Sequence, residues 1–312
     1  MNMPREAQTM PTSQNIIGIV YDFDKTLSPN NMQEDTIFPA YGIEKEKFWA
    51  KAAALVRENG YERTIAYLRL LIQGKPFVRK PLRKGELAAL GKKVKYYPGV
   101  KSFFKRINRF VHHAPKAINR WQIKLEHYVV SSGLKEILEG TSIADEFEAI
   151  YACEFDYENG KAIFPKLIIN DTNKTQFLFR INKGKLRPDE DINSHMPEGE
   201  RRIPFENMIY IGDSESDIPS MTVVRKSGGH VIAVFDPSQA VTEAATRLVE
   251  EGRANHFAPA NYSEGSLLDK ILKDTLNKIM YDIAYKLSAR MSLTWVKQNK
   301  TENVVSFPKG AI

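Results

Sequence analysis

Cysteine is almost absent from this chain, since Cys153 is the single one among 312 residues. One cysteine excludes an intrachain disulfide and favours a reducing compartment. No apolar run approaches the roughly 20 residues that a membrane span requires. The segment from Met1 to Asn15 is polar and lacks the apolar core of a signal peptide. We therefore predict a flexible N-terminus over residues 1–15, no membrane partner and a cytoplasmic location.

Acidic residues are fewer than basic ones, with 38 Asp and Glu against 45 Lys and Arg, which gives a formal net charge of +7. This surplus favours an anionic substrate. Basic clusters occur over residues 75–84, 92–95 and 101–120. They fit either nucleic-acid binding or a solvated face that steers small phosphorylated metabolites. Because no recognised nucleic-acid module accompanies them, we favour the second interpretation.

An apolar run over residues 16–21 ends in Asp22-Phe23-Asp24. Such a run is typical of a central strand of a parallel sheet, buried on both faces. Side chains two residues apart in an extended chain point the same way, so Asp22 and Asp24 can converge beyond the strand end, where open parallel sheets bind ligands. Two uncompensated carboxylates imply a cation, a shared proton or both. The pair suits a carboxylate nucleophile, a carboxylic acid that donates a proton and a metal that neutralises both.

An Asp-x-Asp pair alone also fits a surface turn, but a second acidic cluster lies far downstream. Residues 208–212 are another short apolar run, and Asp213 and Asp217 follow it. Gly212 allows a tight turn just before the first of these acids. Carboxylates at two strand ends would supply the hard oxygen ligands that Mg2+ prefers.

Four segments of the chain, in order, resemble the motifs of the haloacid dehalogenase superfamily of phosphohydrolases. They are Asp22-Phe23-Asp24-Lys25-Thr26-Leu27, Val129-Val130-Ser131-Ser132-Gly133, Lys174 and Gly212-Asp213-Ser214-Glu215-Ser216-Asp217. The resemblance implies an α/β fold with a Rossmann-like three-layer core and a mostly parallel sheet. It also implies that Asp22 is phosphorylated and that Asp24 acts as acid and base. Dehalogenases of the family generally lack the second aspartate, so Asp24 favours phosphoryl transfer.

Ser131 and Ser132 are the candidate phosphate-binding residues of the second motif. Ser131 directly follows a strand-like run and is placed at a predicted strand-to-helix turn. A hydroxyl and neighbouring backbone N–H groups at such a turn can hold phosphate oxygens. We favour Ser131 over Ser132 because of this position.

Lys174 is the candidate third-motif residue, at the start of a predicted helix that Asp171 or Thr172 would cap. From there its ammonium could reach a phosphate and offset the charge of Asp22 and Asp213. Three other lysines compete for this role: Lys166, Lys183 and Lys185.

The resemblance implies that Mg2+ is held by Asp22, Asp213 and the main-chain carbonyl of Asp24. Asp217 is also a candidate, and its role is open between direct ligation, ligation through water and orientation of Lys174.

Residues 31–95 carry helix-spaced apolar positions, which in the resembled family form a cap over the active site. A helical hairpin packed permanently on the core is the alternative. We take residues 230–235 as the last core strand and expect the apolar stripe from Leu268 to Leu287 to form a helix that packs on the core or on a second copy of the chain. The predicted division is a core over 16–30 and 96–260, a helical cap over 31–95 and a C-terminal helical extension over 261–312.

The sequence thus predicts a Mg2+-dependent phosphatase that hydrolyses a small phosphorylated metabolite through an aspartyl-phosphate. A nucleic-acid end-processing phosphatase and a non-catalytic phosphometabolite-binding protein on the same scaffold are the alternatives. Selection of the substrate is expected to fall to residues of the cap, with these candidates: Tyr41, Phe48, Trp49, Arg57, Arg63 and Tyr67.

Overall fold

The computed structural model describes residues 14–73, 76–213, 215–238 and 243–299, without the side chains of residues 215, 243–246 and 297–299. Several sequence-based predictions fall outside this range. They concern residues 1–13 of the predicted N-terminus, Lys75 of the first basic cluster, Ser214 of the fourth motif and residues 300–312 of the predicted extension.

One sheet is built from the strands of the described residues. In chain order they are β1 (Ile16–Tyr21), β2 (Lys124–Leu134), β3 (Ala149–Glu158), β4 (Lys161–Leu167), β5 (Met208–Gly212), β6 (His230–Phe235) and β7 (His256–Pro259). Their spatial order is β4-β3-β2-β1-β5-β6-β7, and every neighbouring pair is parallel except β3 with β4. The predicted α/β fold with a mostly parallel sheet is therefore confirmed.

Helices connect and flank these strands. They are α1 (Met32–Asp35), α2 (Ile37–Tyr41), α3 (Lys45–Asn59), α4 (Arg63–Ile72), α5 (Lys84–Leu90), α6 (Val100–His112), α7 (Lys116–Asn119), α8 (Lys135–Glu139), α9 (Lys174–Lys183), α10 (Ile218–Lys226), α11 (Glu243–Glu250) and α12 (Leu267–Asn299). None of the described helices combines the length and the apolar character needed to cross a bilayer.

The two central strands that carry the acidic motifs are β1 and β5, and they pair with each other. All of β5 is buried, as is β1 except for Ile16. Strands buried on both faces need apolar side chains at every position, which explains why both appear in the sequence as continuous apolar runs. Their shared carboxyl end places Asp22 and Asp213 at the same edge of the sheet.

Between β1 and α6 the chain forms helices α1 to α5, which we call the helical insertion. Its interior is aromatic, with the ring centroids of Phe38 and Phe48 4.8 Å apart. Its α4 contacts the sheet domain through two hydrogen bonds. The Thr64 hydroxyl donates to the Ile169 carbonyl at 3.3 Å, and the Tyr67 hydroxyl donates to the Ser132 carbonyl at 2.5 Å.

Helix α5 packs so closely on α8 that a Cβ atom on Gly140 would lie 1.8 Å from the Ala88 carbonyl oxygen. Only glycine permits this approach of two backbones. The C-terminal end of the helical insertion is thus fixed on the core.

The prediction that residues 230–235 form the last core strand is wrong, because β7 pairs in parallel with β6 and extends the sheet. The strand has only four residues and begins with the exposed His256, so it has no apolar run to reveal it. Asn255 fixes the start of β7 beside β6, since the Asn255 side-chain oxygen accepts a hydrogen bond from the Val231 N–H at 2.8 Å.

The predicted C-terminal helix is α12, and its apolar stripe packs on the core. Leu268, Leu272 and Leu276 are buried within it. The Arg106 guanidinium of α6 binds the buried Asp269 carboxylate of α12 at 3.1 Å. Association of this helix with a second copy of the chain stays a prediction.

Candidate active site

The first acidic motif lies directly beyond β1. The Asp22 N–H donates to the Ile211 carbonyl at 2.9 Å, which continues the pairing of β1 with β5 and holds the 6% exposed Asp22 in place. Lys25 has a φ of 59°, so the chain turns sharply after Asp24. This turn lets the Met32 N–H of α1 donate to Asp24 Oδ1 at 2.9 Å. Asp24 is therefore oriented by the first turn of the helical insertion.

The second acidic motif lies beyond β5. The Asp213 N–H donates to Asp217 Oδ2 at 3.2 Å, and the Tyr210 hydroxyl donates to Asp217 Oδ1 at 2.7 Å. A Cβ atom on Gly212 would lie 2.5 Å from Asp217 Oδ2. Glycine is required at this position because the carboxylate folds back against the backbone.

Lys174 joins the two acidic motifs. Its Nζ atom lies 2.7 Å from Asp217 Oδ1 and 3.1 Å from Asp22 Oδ1, and the side chain is 1% exposed. Although burial opposes the charged ammonium, the carboxylates of Asp217 and Asp22 raise the pKa of Lys174 well above its usual value. The lysine therefore stays protonated between them.

Lys174 begins α9, as predicted, but the residue that precedes the helix differs from the prediction. Asn173 occupies the N-cap position rather than Asp171 or Thr172. Asn170 and Asn173 exchange two hydrogen bonds, in which the N–H of each donates to the side-chain oxygen of the other at 2.7 and 3.0 Å. This reciprocal pair places the N-cap one residue after Thr172 and two residues after Asp171.

The three competing lysines lie elsewhere. Lys166 pairs with Glu154 at 3.1 Å on the surface. Lys183 and Lys185 donate to the carbonyls of Ser194 and Asp191 at 2.9 and 2.6 Å, within the loop after α9. Of the four candidates, Lys174 is the one that contacts the acidic residues of the site.

The carboxylates of Asp22, Asp213 and Asp217 converge, with one oxygen of each within 4.8 Å of the others. Three carboxylates beside the single ammonium of Lys174 leave an excess of negative charge. The Thr26 hydroxyl donates to Asp213 Oδ1 at 3.3 Å and adds a further oxygen to the cluster. This set of hard oxygen donors fits a divalent cation such as Mg2+.

The electrostatics of the site reflect the same excess. Burial raises the pKa of the Asp22 carboxyl to about 6, a rise that the Lys174 ammonium limits. Burial and then the neighbouring Asp217 carboxylate raise the pKa of Asp213 well above its usual value. Burial and the Asp22 carboxylate raise the pKa of Asp24 as well, against the hydrogen bond from the Met32 N–H. Protons or a bound cation would relieve this repulsion.

The second motif lies at the same edge but not in the predicted turn. Ser131 and Ser132 belong to β2, which continues to Leu134 before α8 begins. Pairing with β3 resumes irregularly at Leu134, opposite Cys153, and this extends the strand beyond the apolar run. Ser131 is 1% exposed, and its hydroxyl oxygen accepts the Gly133 N–H at 3.0 Å. Tyr21 of β1 is paired with Val129 of β2. Asp22 follows Tyr21, and the two serines follow Val129 by two and three residues, so they lie at the same end of the sheet as Asp22.

Three residues of the site were not singled out from the sequence: Thr26, Met32 and Tyr210. Thr26 lies within the first motif, so its spacing from Asp22 was available as a signal. Tyr210 lies in an apolar run, and the sequence does not show that its hydroxyl donates to Asp217 in the folded protein. Met32 contributes a backbone N–H, which the sequence cannot reveal.

A cavity of about 520 Å³ opens between the helical insertion and the strand ends. Its lining comprises Trp49, Ala52, Ala53, Val56, Arg63, Thr64, Tyr67, Ser132, Asp171 and Ser216. Three of the six candidate selecting residues therefore line it: Trp49, Arg63 and Tyr67.

The other three candidates do not line the cavity. Phe48 is fully buried inside the helical insertion. The Tyr41 hydroxyl donates to Glu86 at 3.0 Å, and Arg57 pairs with its neighbour Glu58 at 3.2 Å, both on the surface.

Solved structures share this architecture. A haloacid dehalogenase family hydrolase from Salmonella enterica serovar Typhi superposes with a TM-score of 0.54 at 16% identity, and the match covers 86% of this chain and 72% of that chain. A phosphoserine phosphatase in its apo form superposes with a TM-score of 0.51 at 19% identity, over 82% of this chain and 98% of that chain. Likeness at these identities establishes the fold.

Sequence comparison establishes the family. An uncharacterised protein of Borreliella burgdorferi is 30% identical over 281 residues, and the match covers 83% of this chain and 96% of the relative. The sequence model of the haloacid dehalogenase-like hydrolases matches residues 19–222, a range that contains all four motifs and the converging carboxylates. The chain therefore belongs to the haloacid dehalogenase-like hydrolase family.

Proposed function

We propose that the protein is a Mg2+-dependent phosphatase that hydrolyses a small phosphomonoester through an aspartyl-phosphate on Asp22. The observation that carries this proposal is the position of Lys174, whose ammonium binds both Asp22 and Asp217 beside a surplus of carboxylates. Such a buried, charged constellation is typical of a catalytic site rather than of a stabilising contact.

In the first step a carboxylate oxygen of Asp22 attacks the phosphorus atom and forms the new P–O bond. The bond between phosphorus and the leaving alcohol oxygen breaks, and Asp24 donates its proton to that oxygen. The raised pKa of Asp24, which burial causes, supports a proton on this carboxyl before the reaction. With a pKa of about 6, Asp22 is mostly ionised at neutral pH and can act as the nucleophile.

In the second step Asp24, now a carboxylate, takes a proton from water while the water oxygen attacks phosphorus. The bond between phosphorus and Asp22 breaks, which releases inorganic phosphate and restores both aspartates. The hydrogen bond from the Met32 N–H keeps Asp24 in one orientation through both steps.

Lys174, Ser131 and Ser132 would bind the phosphate oxygens. Asp22, Asp213 and the main-chain carbonyl of Asp24 would hold Mg2+. When bound, the ion supplies positive charge that screens the attacking carboxylate and the transferred phosphoryl group from each other.

Asp217 is better suited to position Lys174 than to bind the metal directly. Its Oδ1 atom accepts from Lys174 and Tyr210, and its Oδ2 atom accepts from the Asp213 N–H. Both oxygens are thus engaged by the protein. If Asp217 contributes to metal binding, it would do so through a bridging water molecule.

The helical insertion would act as the predicted cap, since Tyr67 binds the Ser132 carbonyl of the second motif and Thr64 binds the Ile169 carbonyl in the loop before Lys174. A lid over the site would control the access of water to the phosphoenzyme. We also retain the proposal of a cytoplasmic protein, in which the buried Cys153 stays a free thiol.

Turnover of 4-nitrophenyl phosphate should require a divalent ion, because the carboxylate cluster is otherwise uncompensated. We expect protein treated with EDTA and desalted to lose activity, and added Mg2+ to restore it. Zn2+ and Ca2+ at equal concentration serve as comparisons. Full activity of the chelated protein would refute the proposed mechanism.

A further inference from the structure

The cavity beside the candidate site has one apolar wall. Trp49, Ala52, Ala53 and Val56 line it, and their spacing of three, four and seven residues places them on one face of α3. Other apolar residues of the same helix, Phe48 among them, pack inside the helical insertion. Helix α3 therefore has a second apolar face that is turned to the cavity.

Trp49 makes this wall rigid. Its indole N–H donates to Glu34 Oε1 at 2.9 Å, and the Lys45 ammonium holds the other oxygen of Glu34 at 2.7 Å. The ring packs edge-on against Phe48 and Tyr67, with centroids 5.2 and 6.1 Å away. The polar edge of the indole is thus satisfied within the protein. The two alanines that follow on the same face leave room for a flat group beside it.

The opposite side of the cavity is polar and borders the candidate site at Ser132. Ser132, Asp171 and Ser216 come from the segments that carry the second, third and fourth motifs. Tyr67 lies at the boundary, since its hydroxyl donates to the Ser132 carbonyl. A group bonded to a phosphate at Asp22 would therefore extend past Tyr67 towards the α3 face.

We propose that the substrate is a phosphomonoester whose leaving alcohol carries an apolar ring, and that α3 selects this ring. This inference rests on the proposed function. A volume of about 520 Å³ holds a ring-sized group, and burial of the ring on the α3 face removes apolar surface of both from water. A compact polyol or amino-acid ester would leave that face hydrated and would gain nothing from it.

The test compares benzyl phosphate with ethyl phosphate, whose alcohols leave with similar ease. We expect kcat/KM for benzyl phosphate to exceed that for ethyl phosphate by about tenfold or more, the range in which apolar pockets discriminate. In A53L the larger side chain projects from the α3 face into the space proposed for the ring, and kcat/KM for benzyl phosphate should fall by about tenfold with little change for ethyl phosphate.

A50L is the matched control, because Ala50 is an exposed alanine of the same helix that does not line the cavity. It should leave both substrates unchanged. Equal kcat/KM for the two esters in the wild type, or an equal loss for both in A53L, would overturn the inference while phosphatase activity itself persists.

Binding provides a readout that is independent of turnover. Isothermal titration calorimetry would compare 2-phenylethylphosphonate with propylphosphonate, which cannot be hydrolysed. If the protein binds the phenyl compound about tenfold more tightly and A53L loses this preference, ring selection is supported. This holds even if neither ester is hydrolysed, a result that would refute the proposed phosphatase function but not the ring selection. Equal affinities for the two phosphonates would overturn the ring selection.

Discussion

Lys174 combines a full charge with nearly complete burial, 2.7 Å from Asp217 and 3.1 Å from Asp22. Removing charged groups from water costs several kcal/mol per ion, so a buried ion triad contributes little to net stability. A chain selected for stability alone would gain as much from apolar residues of similar volume. The presence of this triad is therefore better explained by chemistry at the carboxyl end of the sheet.

The two aspartates of the first motif should fail differently when each is changed to Asn. D22N replaces the attacking carboxylate with a neutral amide, so it should form neither phosphoenzyme nor product. D24N keeps the nucleophile and loses proton transfer, which typically contributes about 10²- to 10⁴-fold in rate. With 4-nitrophenyl phosphate, whose leaving group needs little protonation, D24N should accumulate phosphoenzyme. Acid quench followed by intact mass analysis would detect the added phosphoryl group.

Hydroxylamine sensitivity of that added mass would identify an acyl phosphate. A phosphoenzyme in D22N, or equal residual turnover in both variants, would mean that the two roles are assigned wrongly. Comparable unfolding temperatures of both variants and the wild type are the control for folding.

His127 is a buried neutral residue of β2, two residues before the second motif begins at Val129. Its Nδ1 accepts from the Tyr21 hydroxyl and its Nε2 donates to Asn108 Oδ1, each at 3.0 Å. Burial lowers the pKa of His127 to about 3, whereas an unfolded histidine titrates near pH 6.5. Below pH 6.5 the unfolded state binds the proton more tightly, so stability is present above that pH and falls progressively towards pH 3.

The loss of unfolding free energy attributable to this histidine should be about 2 kcal/mol at pH 5 relative to pH 8. H127Q retains a donor and an acceptor but cannot titrate, so its stability should fall less over this range. Urea unfolding at pH 8, 6 and 5 measures the difference. H112Q, at an exposed position of α6, is the control and should keep the wild-type pH dependence.

At the scale of the elements, the sequence predicts best the strands whose burial forces an apolar run. Strands β1 and β5 are recognisable in this way, whereas α12 is indicated by its helix-spaced apolar stripe and α9 by the candidate capping residues before Lys174. The proximity of Asp22 and Asp213 is predicted from the same runs, because parallel strands end at one edge of a sheet. Lys174 could not be separated from its three competitors until the fold packed α9 against β2 and α10 and so brought Lys174 to Asp217.

The elements that escaped prediction depend on partners distant in sequence. Strand β7 exists because β6 offers it an edge, and its four residues carry no pattern of their own. The extension of β2 through Ser131 depends on β3. The predicted cap starts at residue 31, directly before Met32. Because the Met32 N–H donates to Asp24, α1 orients a residue of the first acidic motif as well as opening the helical insertion.

Contact between α4 and β2 gives the helical insertion a testable role. In Y67F the hydrogen bond to the Ser132 carbonyl is lost while the ring stays. One such bond contributes about 1 kcal/mol. We expect kcat/KM to fall by about fivefold and the free energy of unfolding by about 1 kcal/mol, because the closed arrangement is weakened. Steady-state kinetics and urea unfolding measure both effects.

Y41F is the matched control, since the Tyr41 hydroxyl binds Glu86 within the insertion and makes no bond to the sheet. It should leave kcat/KM unchanged. The same loss of activity in Y41F and Y67F would show that the bond to Ser132 has no special part in holding the insertion closed.

For the whole molecule, the net charge of +7 poses a choice between small anions and nucleic acid. Part of the basic surface is exposed on α6, where Lys105 and Arg109 line an open cavity of about 700 Å³ with Lys273. Salt dependence separates the two possibilities. A protein that contacts 6 to 10 phosphates loses roughly 10³- to 10⁵-fold in affinity between 50 and 200 mM salt, whereas a small monoester offers only one phosphate.

We expect kcat/KM for benzyl phosphate to fall by about tenfold or less between 50 and 200 mM KCl, because one phosphate group interacts with the field of the molecule. Fluorescence anisotropy of a 5′-phosphorylated single-stranded oligonucleotide should show weak binding that the K105E/R109E double variant abolishes. That variant should keep its activity towards benzyl phosphate, since neither residue lines the cavity beside the acidic motifs. If the oligonucleotide were instead dephosphorylated tenfold faster than benzyl phosphate at 50 mM KCl, with the advantage lost by 200 mM, the basic surface would be part of the substrate site and the substrate would be nucleic acid.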